Sequence, residues 1–187
     1  MATTARLLTY DDYAALPDEG KRYELIGGEL WEMPSPSWNH QMVLSRLNKV
    51  LDRFVSAREL GAVVFAPFDI RLSPNVVVQP DIVYVSTGRL ALVTPQFLMG
   101  APDLLVEVLS PSTRDRDLGV KLRLYADARV REVWFADLEP PDLRILAMGD
   151  DGDYVPVPPV GGAVQSVVLP GLRVDIAALF TGLPAAS

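Results

Sequence analysis

The segment DLLVEVLSPSTRDRDLGVK, residues 103–121, contains the features on which the predicted fold and site depend. Residues 104–109 form a predicted strand, LLVEVL, in which Glu107 is the single residue that is not Leu or Val. A lone charge in an apolar strand costs on the order of several kcal/mol unless it meets a cation, a metal ion or good hydrogen-bond donors. After the turn SPST, a predicted helix carries Asp117 and Lys121 four residues apart. The segment therefore predicts a strand–turn–helix unit that contains a charged site.

A second carboxylate lies upstream in VVVQPDIVYV, where Asp81 follows Pro80 between two apolar blocks. Two carboxylates on adjacent strands can hold a hard cation such as Mg²⁺, which prefers oxygen ligands and retains water. A lysine nearby can orient or deprotonate the attacking water, or stabilise charge that develops on a phosphoryl oxygen. Asp81, Glu107 and Lys121 together therefore predict a metal site suited to phosphodiester hydrolysis.

Ordinary structural roles also explain why these charged residues occur where they do. Glu107 can pair with Lys121 or an arginine in a buried ion pair that needs no metal. Asp81 after a proline is ordinary turn chemistry, and Asp117 with Lys121 is an ordinary i,i+4 helix pair. A serine hydrolase is excluded, because no G-x-S-x-G elbow surrounds the serines of SPST and the chain has a single histidine.

The remaining segments alternate between strand and helix patterns. Residues 23–26 and 29–33 flank a Gly-Gly pair, which predicts a hairpin that carries Glu24 and Glu29. The longest predicted helix, residues 37–60, has apolar residues at three- and four-residue steps and is amphipathic. Further strands are predicted at residues 62–66, 68–72, 76–78, 81–85, 103–109, 131–137 and 142–148.

Strand, helix and strand follow one another over residues 103–137, with the helix at residues 115–128, and the two strands are predicted to pair in parallel. Residues 86–102 are predicted to form a loop with a short helical turn. Because hairpins are predicted elsewhere, the sheet is mixed. The predicted fold class is α/β with a mixed central β-sheet flanked by helices, in a single domain over residues 1–187 whose core spans about residues 20–148.

Amino-acid composition argues against several classes of protein and of metal site. Apolar residues make up 49% of the 187 residues, but no apolar run approaches the roughly 20 residues that a membrane span needs. The first residues lack the apolar stretch of a secretory signal, so we expect a cytoplasmic protein without membrane attachment. The chain has no cysteine and a single histidine, His40, which excludes thiolate and His-rich zinc sites and leaves carboxylate sites open. The net charge of −7 argues against a broadly basic nucleic-acid binder, although the metal ligands of a nuclease are themselves acidic.

An ordered set of motifs resembles the Uma2 family. The motifs cover roughly residues 23–137 and are YELIGGEL, His40 at the head of the long helix, QPDIVYV, PDLLVEVLSPST, the D-x-x-x-K-x-x-x-Y spacing of Asp117, Lys121 and Tyr125, and VREVWFAD. The family is described as restriction-endonuclease-like. The resemblance implies a PD-(D/E)xK nuclease fold, in which a central mixed sheet is flanked by helices and carries metal-binding carboxylates on its strands.

The resemblance also implies a role for each matching residue. Pro80-Asp81 matches the PD element, and Glu107 matches the (D/E) position. The lysine of that motif would fall at Leu109, and the Uma2-like pattern instead places a lysine on the following helix, at Lys121.

Two further site residues follow from the matched motifs. Glu24 is favoured over Glu29 as a third acidic contributor, with a solvent-facing hairpin residue as the alternative for either. His40 is expected at the rim of the site as a phosphate contact or a proton carrier near neutral pH, with an ordinary surface histidine as the alternative. Tyr125 is assigned to core packing. Three arginines near the site either meet phosphates or belong to a solvated helix face: Arg114, Arg116 and Arg123.

The sequence thus predicts a metal-dependent DNA endonuclease with Mg²⁺ as cofactor and Mn²⁺ as a substitute. Asp81 and Glu107 are the predicted metal ligands, and the predicted catalytic residues are Asp81, Glu107, Lys121, Glu24 and His40. Because many nucleases with this fold cut both strands as homodimers, a homodimer is expected. The alternative is a non-catalytic nuclease-fold module that binds a protein or nucleic-acid partner, which the acidic net charge and the absence of a lysine at Leu109 favour.

Overall fold

The structure is a computed structural model that describes residues 6–185. The strands are β1 Arg22–Ile26, β2 Glu29–Met33, β3 Gly61–Phe65, β4 Asp69–Ser73, β5 Val76–Val78, β6 Ile82–Ser86, β7 Phe97–Met99, β8 Leu104–Leu109, β9 Glu132–Leu138, β10 Pro141–Met148, β11 Tyr154–Val157, β12 Ala163–Gln165 and β13 Arg173–Asp175. The helices are α1 Tyr10–Ala14, α2 Trp38–Ser56, a 3₁₀ helix Thr87–Leu92, α3 Arg114–Arg116, a π-helical turn Asp117–Lys121, α4 Leu122–Asp127 and α5 Ile176–Phe180.

Six strands form the central sheet in the order β11-β10-β9-β8-β6-β3. β8 and β9 pair in parallel, as predicted for the strand–helix–strand unit, and the other neighbours are antiparallel. Five strands form a second sheet in the order β2-β1-β5-β4-β7, which contains the predicted β1–β2 hairpin. The short strands β12 and β13 pair separately. The architecture is the mixed-sheet α/β arrangement that the sequence predicts.

The two faces of the central sheet pack against different elements, as the alternating side chains of β8 show. Leu104 and Val106 pack in the apolar cluster that contains Leu47 of α2. Leu105 and Leu109 point the other way, into the cluster formed with the second sheet and α4. Because successive side chains of a strand point to opposite faces, Glu107 shares the face of Leu105 and Leu109. The second sheet and the short helices therefore cover one side of the central sheet, whereas the sequence predicted only flanking helices.

Helix α2 begins where the Ser37 side chain accepts a hydrogen bond from the backbone N–H of His40. A capped N-terminus of this kind satisfies a backbone donor that has no partner inside the helix. The helix ends at Ser56, four residues before the predicted end at Leu60. Glu59 adopts a φ of 54°, and this left-handed conformation terminates helices.

Two predicted segments need correction. Residues 86–102 contain strand β7 in addition to a helical turn, and β7 pairs in parallel with β4. Strand β7 lies among prolines and glycines that favour a loop, and it forms by pairing with a strand that is distant in sequence. The helix predicted at residues 115–128 begins at Arg114 and passes through the π turn Asp117–Lys121.

Strand β9 begins with Glu132, which is fully buried on the α2 side of the sheet. Its carboxylate accepts hydrogen bonds from Trp134 Nε1 and Ser166 Oγ and from the backbone N–H groups of Val167 and Val168. Four donors satisfy the charge, and they tie the segment after β12 to the central sheet. Within residues 6–185, no helix combines the length and the apolar character that crossing a bilayer requires.

Candidate active site

Three charged side chains from distant parts of the chain meet between the two large sheets. Glu24 lies on β1, Glu107 on β8 and Lys121 at the end of the π turn. Lys121 Nζ is 2.7 Å from Glu107 Oε1 and 2.9 Å from Glu24 Oε1. The exposed fractions are 0% for Glu24, 4% for Glu107 and 1% for Lys121. The structure thus brings together three of the five predicted site residues in direct contact.

The π turn adds a fourth charge to this cluster. Asp117 opens the turn, is buried, and places Oδ1 3.4 Å from Lys121 Nζ. The simple i,i+4 helix pair is therefore present, but it belongs to a larger buried cluster. Single π turns inside helices are frequent at functional sites, and here the turn presents both of its charged ends to the interior.

Asp81 and His40 form a second pair beside the cluster. Asp81 Oδ2 accepts a hydrogen bond of 2.7 Å from the backbone N–H of Val108, and His40 Nε2 lies 3.3 Å from the same oxygen. The antiparallel register of β6 and β8 sets Ile82 opposite Val106, so Asp81 comes next to Glu107. Asp81 thus contacts a neighbouring strand in addition to being part of a local turn.

The five predicted site residues lie at or beside one cleft. Glu24 is buried in the cluster, whereas Glu29 is exposed, so the geometry agrees with the preference for Glu24. The cleft has a volume of about 260 Å³ and is lined by the other four predicted residues, His40, Asp81, Glu107 and Lys121. Its charged and titratable lining is His40, Asp81, Glu107, Arg116, Asp117 and Lys121, with Arg22 at the edge.

Sequence reasoning missed part of the site. Tyr125 packs in the core, as predicted, but its hydroxyl also donates a hydrogen bond to Glu107 Oε1. The D-x-x-x-K-x-x-x-Y spacing was the signal, since it sets the tyrosine one turn beyond Lys121. Gln79 contributes its backbone N–H, which donates to Glu24 Oε1 at 2.9 Å. No side-chain pattern reveals a contact made by the backbone.

Burial controls the protonation of the cluster. Burial raises the pKa of Glu107 to about 8; the Lys121 ammonium opposes this shift, and the Asp117, Asp81 and Glu24 carboxylates add to it. Burial lowers the pKa of Lys121, but the Glu107 and Glu24 carboxylates outweigh burial and hold that pKa well above its ordinary value. Lys121 is therefore the permanent cation, and Glu107 is the group that exchanges a proton near neutral pH.

The donor set fits a hard divalent cation held by two carboxylates. Within the described part of the chain, no three His, Asp or Glu side chains are arranged to hold a metal ion together. Mg²⁺ commonly takes one or two carboxylates and completes its shell with water and substrate phosphate oxygens. Asp81 and Glu107, adjacent at the cleft, satisfy that requirement. Glu24 Oε2 and Asp117 Oδ1 are buried and accept no hydrogen bond from the residues that the structure describes, so the cluster also has unused acceptors.

Comparisons with known proteins agree with this geometry. The family model Uma2, described as "putative restriction endonuclease", matches residues 10–178. A crystal structure of a putative nuclease belonging to DUF820 from Anabaena variabilis ATCC 29413 superposes with a TM-score of 0.77. The superposition covers 93% of this chain and 98% of the other at 17% sequence identity, so the two proteins share a fold. No match is found among curated proteins.

The family match extends over most of the chain and includes every residue of the buried cluster. The structural likeness is independent of sequence motifs, and it supports the restriction-endonuclease-like fold. The chain therefore belongs to the Uma2 family.

Proposed function

We propose that the protein is a metal-dependent endonuclease that hydrolyses phosphodiester bonds of DNA at the cleft described above. The observation that carries the proposal is the convergence of Glu24, Glu107 and Lys121, fully buried, beside Asp81. Burying charges is costly, and apolar residues of similar volume usually stabilise a fold as well or better. Buried charged clusters that border a cleft are therefore candidates for catalytic sites. The family description supports the same class of activity.

Asp81 and Glu107 are the residues that would hold Mg²⁺, or Mn²⁺ in its place. A divalent cation in this position neutralises charge that develops on a phosphoryl oxygen. At neutral pH a metal-free Glu107 retains a proton because of its raised pKa. Cation binding and protonation at Glu107 therefore compete, and cation affinity should rise with pH.

The other residues position groups and move protons. Lys121 is cationic because of its raised pKa, so we assign it to positioning the attacking water and stabilising negative charge, and not to proton abstraction. Glu24 holds the Lys121 ammonium in place at 2.9 Å. His40 lies at the rim with Nε2 3.3 Å from Asp81 Oδ2, so we assign it to contacting a phosphate group or carrying a proton to the cleft. A homodimer is part of the proposal, since cutting both strands of a duplex calls for two such sites.

Plasmid cleavage tests the proposal directly. Wild-type protein should nick or cut DNA with Mg²⁺ or Mn²⁺ and not with chelator. Glu107→Gln should lower the rate on the order of 10³-fold, because several kcal/mol of transition-state stabilisation are lost. Glu29→Gln removes an exposed carboxylate from the same chain and should leave the rate unchanged. Full metal-dependent cleavage by both Asp81→Asn and Glu107→Gln would show that the assignment is wrong.

A non-catalytic module is the second candidate, and two observations favour it. Lys121 balances the Glu24 and Glu107 carboxylates with a side-chain cation, and Leu109 at the usual lysine position is buried in the apolar core. A thermal melt separates the two candidates, because a bound ion raises the melting temperature by mass action. Stabilisation by Mg²⁺ that disappears in Glu107→Gln supports a metal site, and no stabilisation supports the binding module.

A further inference from the structure

Arg116 is a cation that is largely shielded from solvent and has an unused donor among the described residues. Its side chain is 10% exposed and borders the cleft, and Nε is buried without a hydrogen-bond partner among residues 6–185. The nearby carboxylate oxygens are Glu24 Oε2, 3.6 Å from a terminal nitrogen, and Asp117 Oδ1, 3.9 Å from Nε. Both distances exceed the length of an N–H···O hydrogen bond. Arg116 is therefore attracted to these carboxylates without being saturated by them.

Three hydroxyl groups border the same cleft immediately before Arg116 in the chain. Ser110 Oγ lies 3.1 Å from Ser112 Oγ and 2.9 Å from Thr113 Oγ1. Hydroxyl groups rotate, so each can redirect its proton from a neighbouring hydroxyl to an incoming acceptor. The SPST turn, which plays no part in the proposed metal site, thus offers donors that line the same cleft as Arg116.

We infer that Arg116 and the hydroxyls of Ser110, Ser112 and Thr113 form an oxyanion subsite for a phosphate group of the nucleic-acid backbone. The inference rests on the proposed function for the identity of the ligand and on geometry for the site. A guanidinium presents paired donors that match two oxygens of a phosphate group, and such charge-assisted bonds are stronger than neutral ones.

The surroundings of Arg116 leave its guanidinium group able to bind an anionic ligand. Lys121 Nζ lies 2.9 Å from Glu24 Oε1 and 3.4 Å from Asp117 Oδ1, so the two acids nearest to Arg116 already share another cation. The guanidinium carbon lies 6.0 Å from the centre of the Trp31 ring, a contact that favours a cation over an aromatic face. In a chain of net charge −7, a local cation at the cleft is also what attracts a phosphate group.

Binding measured without divalent cation isolates this subsite from cleavage. A fluorescently labelled DNA oligonucleotide is titrated with protein over a range of salt concentrations, and inorganic phosphate is titrated separately by calorimetry. Arg116→Gln should weaken oligonucleotide binding at least about tenfold and reduce the slope of log K against log salt by roughly 0.7 to 0.9, the loss of one phosphate contact. Arg123→Gln is the matched control, because Arg123 is exposed on the following helix.

Two further variants test the geometry of the subsite. Arg116→Lys keeps the charge without the planar fork, so it should recover the salt slope and only part of the affinity. Thr113→Val should weaken binding a few-fold with an unchanged slope, because it removes a neutral donor. Since Arg116→Lys retains the buried charge, it also serves if Arg116→Gln fails to fold.

The outcomes separate this inference from the proposed nuclease activity. Unchanged affinity and slope in folded Arg116→Gln and Arg116→Lys overturn the subsite, whether or not plasmid is cleaved. Phosphate binding that depends on Arg116, with no oligonucleotide binding by the wild type, supports an oxyanion subsite for free phosphate and counts against the nuclease. Binding of neither probe by the wild type overturns the subsite.

Discussion

Glu107 and Glu132 lie on adjacent parallel strands of the central sheet, and both are buried, yet their environments differ in kind. Glu132 faces the α2 side, where four neutral donors surround its carboxylate. Glu107 faces the second sheet, where its partners are the Lys121 ammonium and the Tyr125 hydroxyl and its neighbours are further carboxylates. The Glu132 carboxylate is fully hydrogen-bonded by neutral donors, whereas Glu107 shares the Lys121 ammonium with other carboxylates.

The difference distinguishes an acid that the fold holds in place from one that the proposed function uses. A carboxylate that accepts several backbone and side-chain hydrogen bonds is stabilised in its charged form and holds segments together. The pKa of Glu107 is raised first by burial and further by the neighbouring acids, so protons or cations are exchanged there near neutral pH. Burial alone therefore does not identify a site; the type of partner does.

The largest expected contrast between the two acids is in stability. Glu132→Gln places amide N–H donors against backbone N–H groups and should destabilise the fold by about 3 kcal/mol. Glu107 is protonated and neutral at neutral pH because of its raised pKa, so Glu107→Gln exchanges one neutral group for another of similar shape and should change the stability by less than about 1 kcal/mol in metal-free buffer. Urea unfolding monitored by circular dichroism gives both values. Equal losses in the two variants would show that both acids are structural.

The pH dependence of stability sharpens the comparison. The folded pKa of Glu107 is raised from its ordinary value near 4.5 to about 8, so between these values the folded state binds one proton more than the unfolded state. Stability without divalent cation should therefore fall as pH rises, by about 2 kcal/mol between pH 5.5 and pH 7 at about 1.4 kcal/mol per pH unit. Urea titrations at both pH values measure the fall.

Glu107→Gln is the variant that tests this assignment, because an amide has no proton to exchange in this range. Its stability should be flat over the same interval. A decline in Glu107→Gln as steep as in the wild type would place the titrating group elsewhere.

The smallest expected effect is stabilisation by cation at neutral pH. Mg²⁺ at ten times its dissociation constant should add about 1.4 kcal/mol to the free energy of unfolding and raise the melting temperature by about 4 °C. The shift should vanish in Glu107→Gln. Calorimetric melts with Mg²⁺ and with chelator measure it, and Glu29→Gln, which alters an exposed acid, should respond like the wild type.

Individual residues show how far sequence reasoning reached. His40 was expected at the rim of the site because of its motif, and it lies beside Asp81. Glu24 and Glu29 occupy one hairpin, and only the register and packing of β1 decide that Glu24 points inward. Tyr125 was assigned to packing alone, because the spacing of apolar residues along a helix does not show which group a tyrosine hydroxyl contacts.

The sequence by itself determined the mixed α/β class, the parallel pairing of the strand–helix–strand unit and the carboxylates and lysine from which a site is built. These depend on local patterns and on ordered motifs, which are visible along one chain. Only the tertiary structure decided that the Tyr125 hydroxyl joins the Glu107 cluster and that Glu132, set in a similar apolar strand, is surrounded by four neutral donors. The physical reason is that the partners of a buried charge come from segments distant in sequence, and the packing of two sheets selects them.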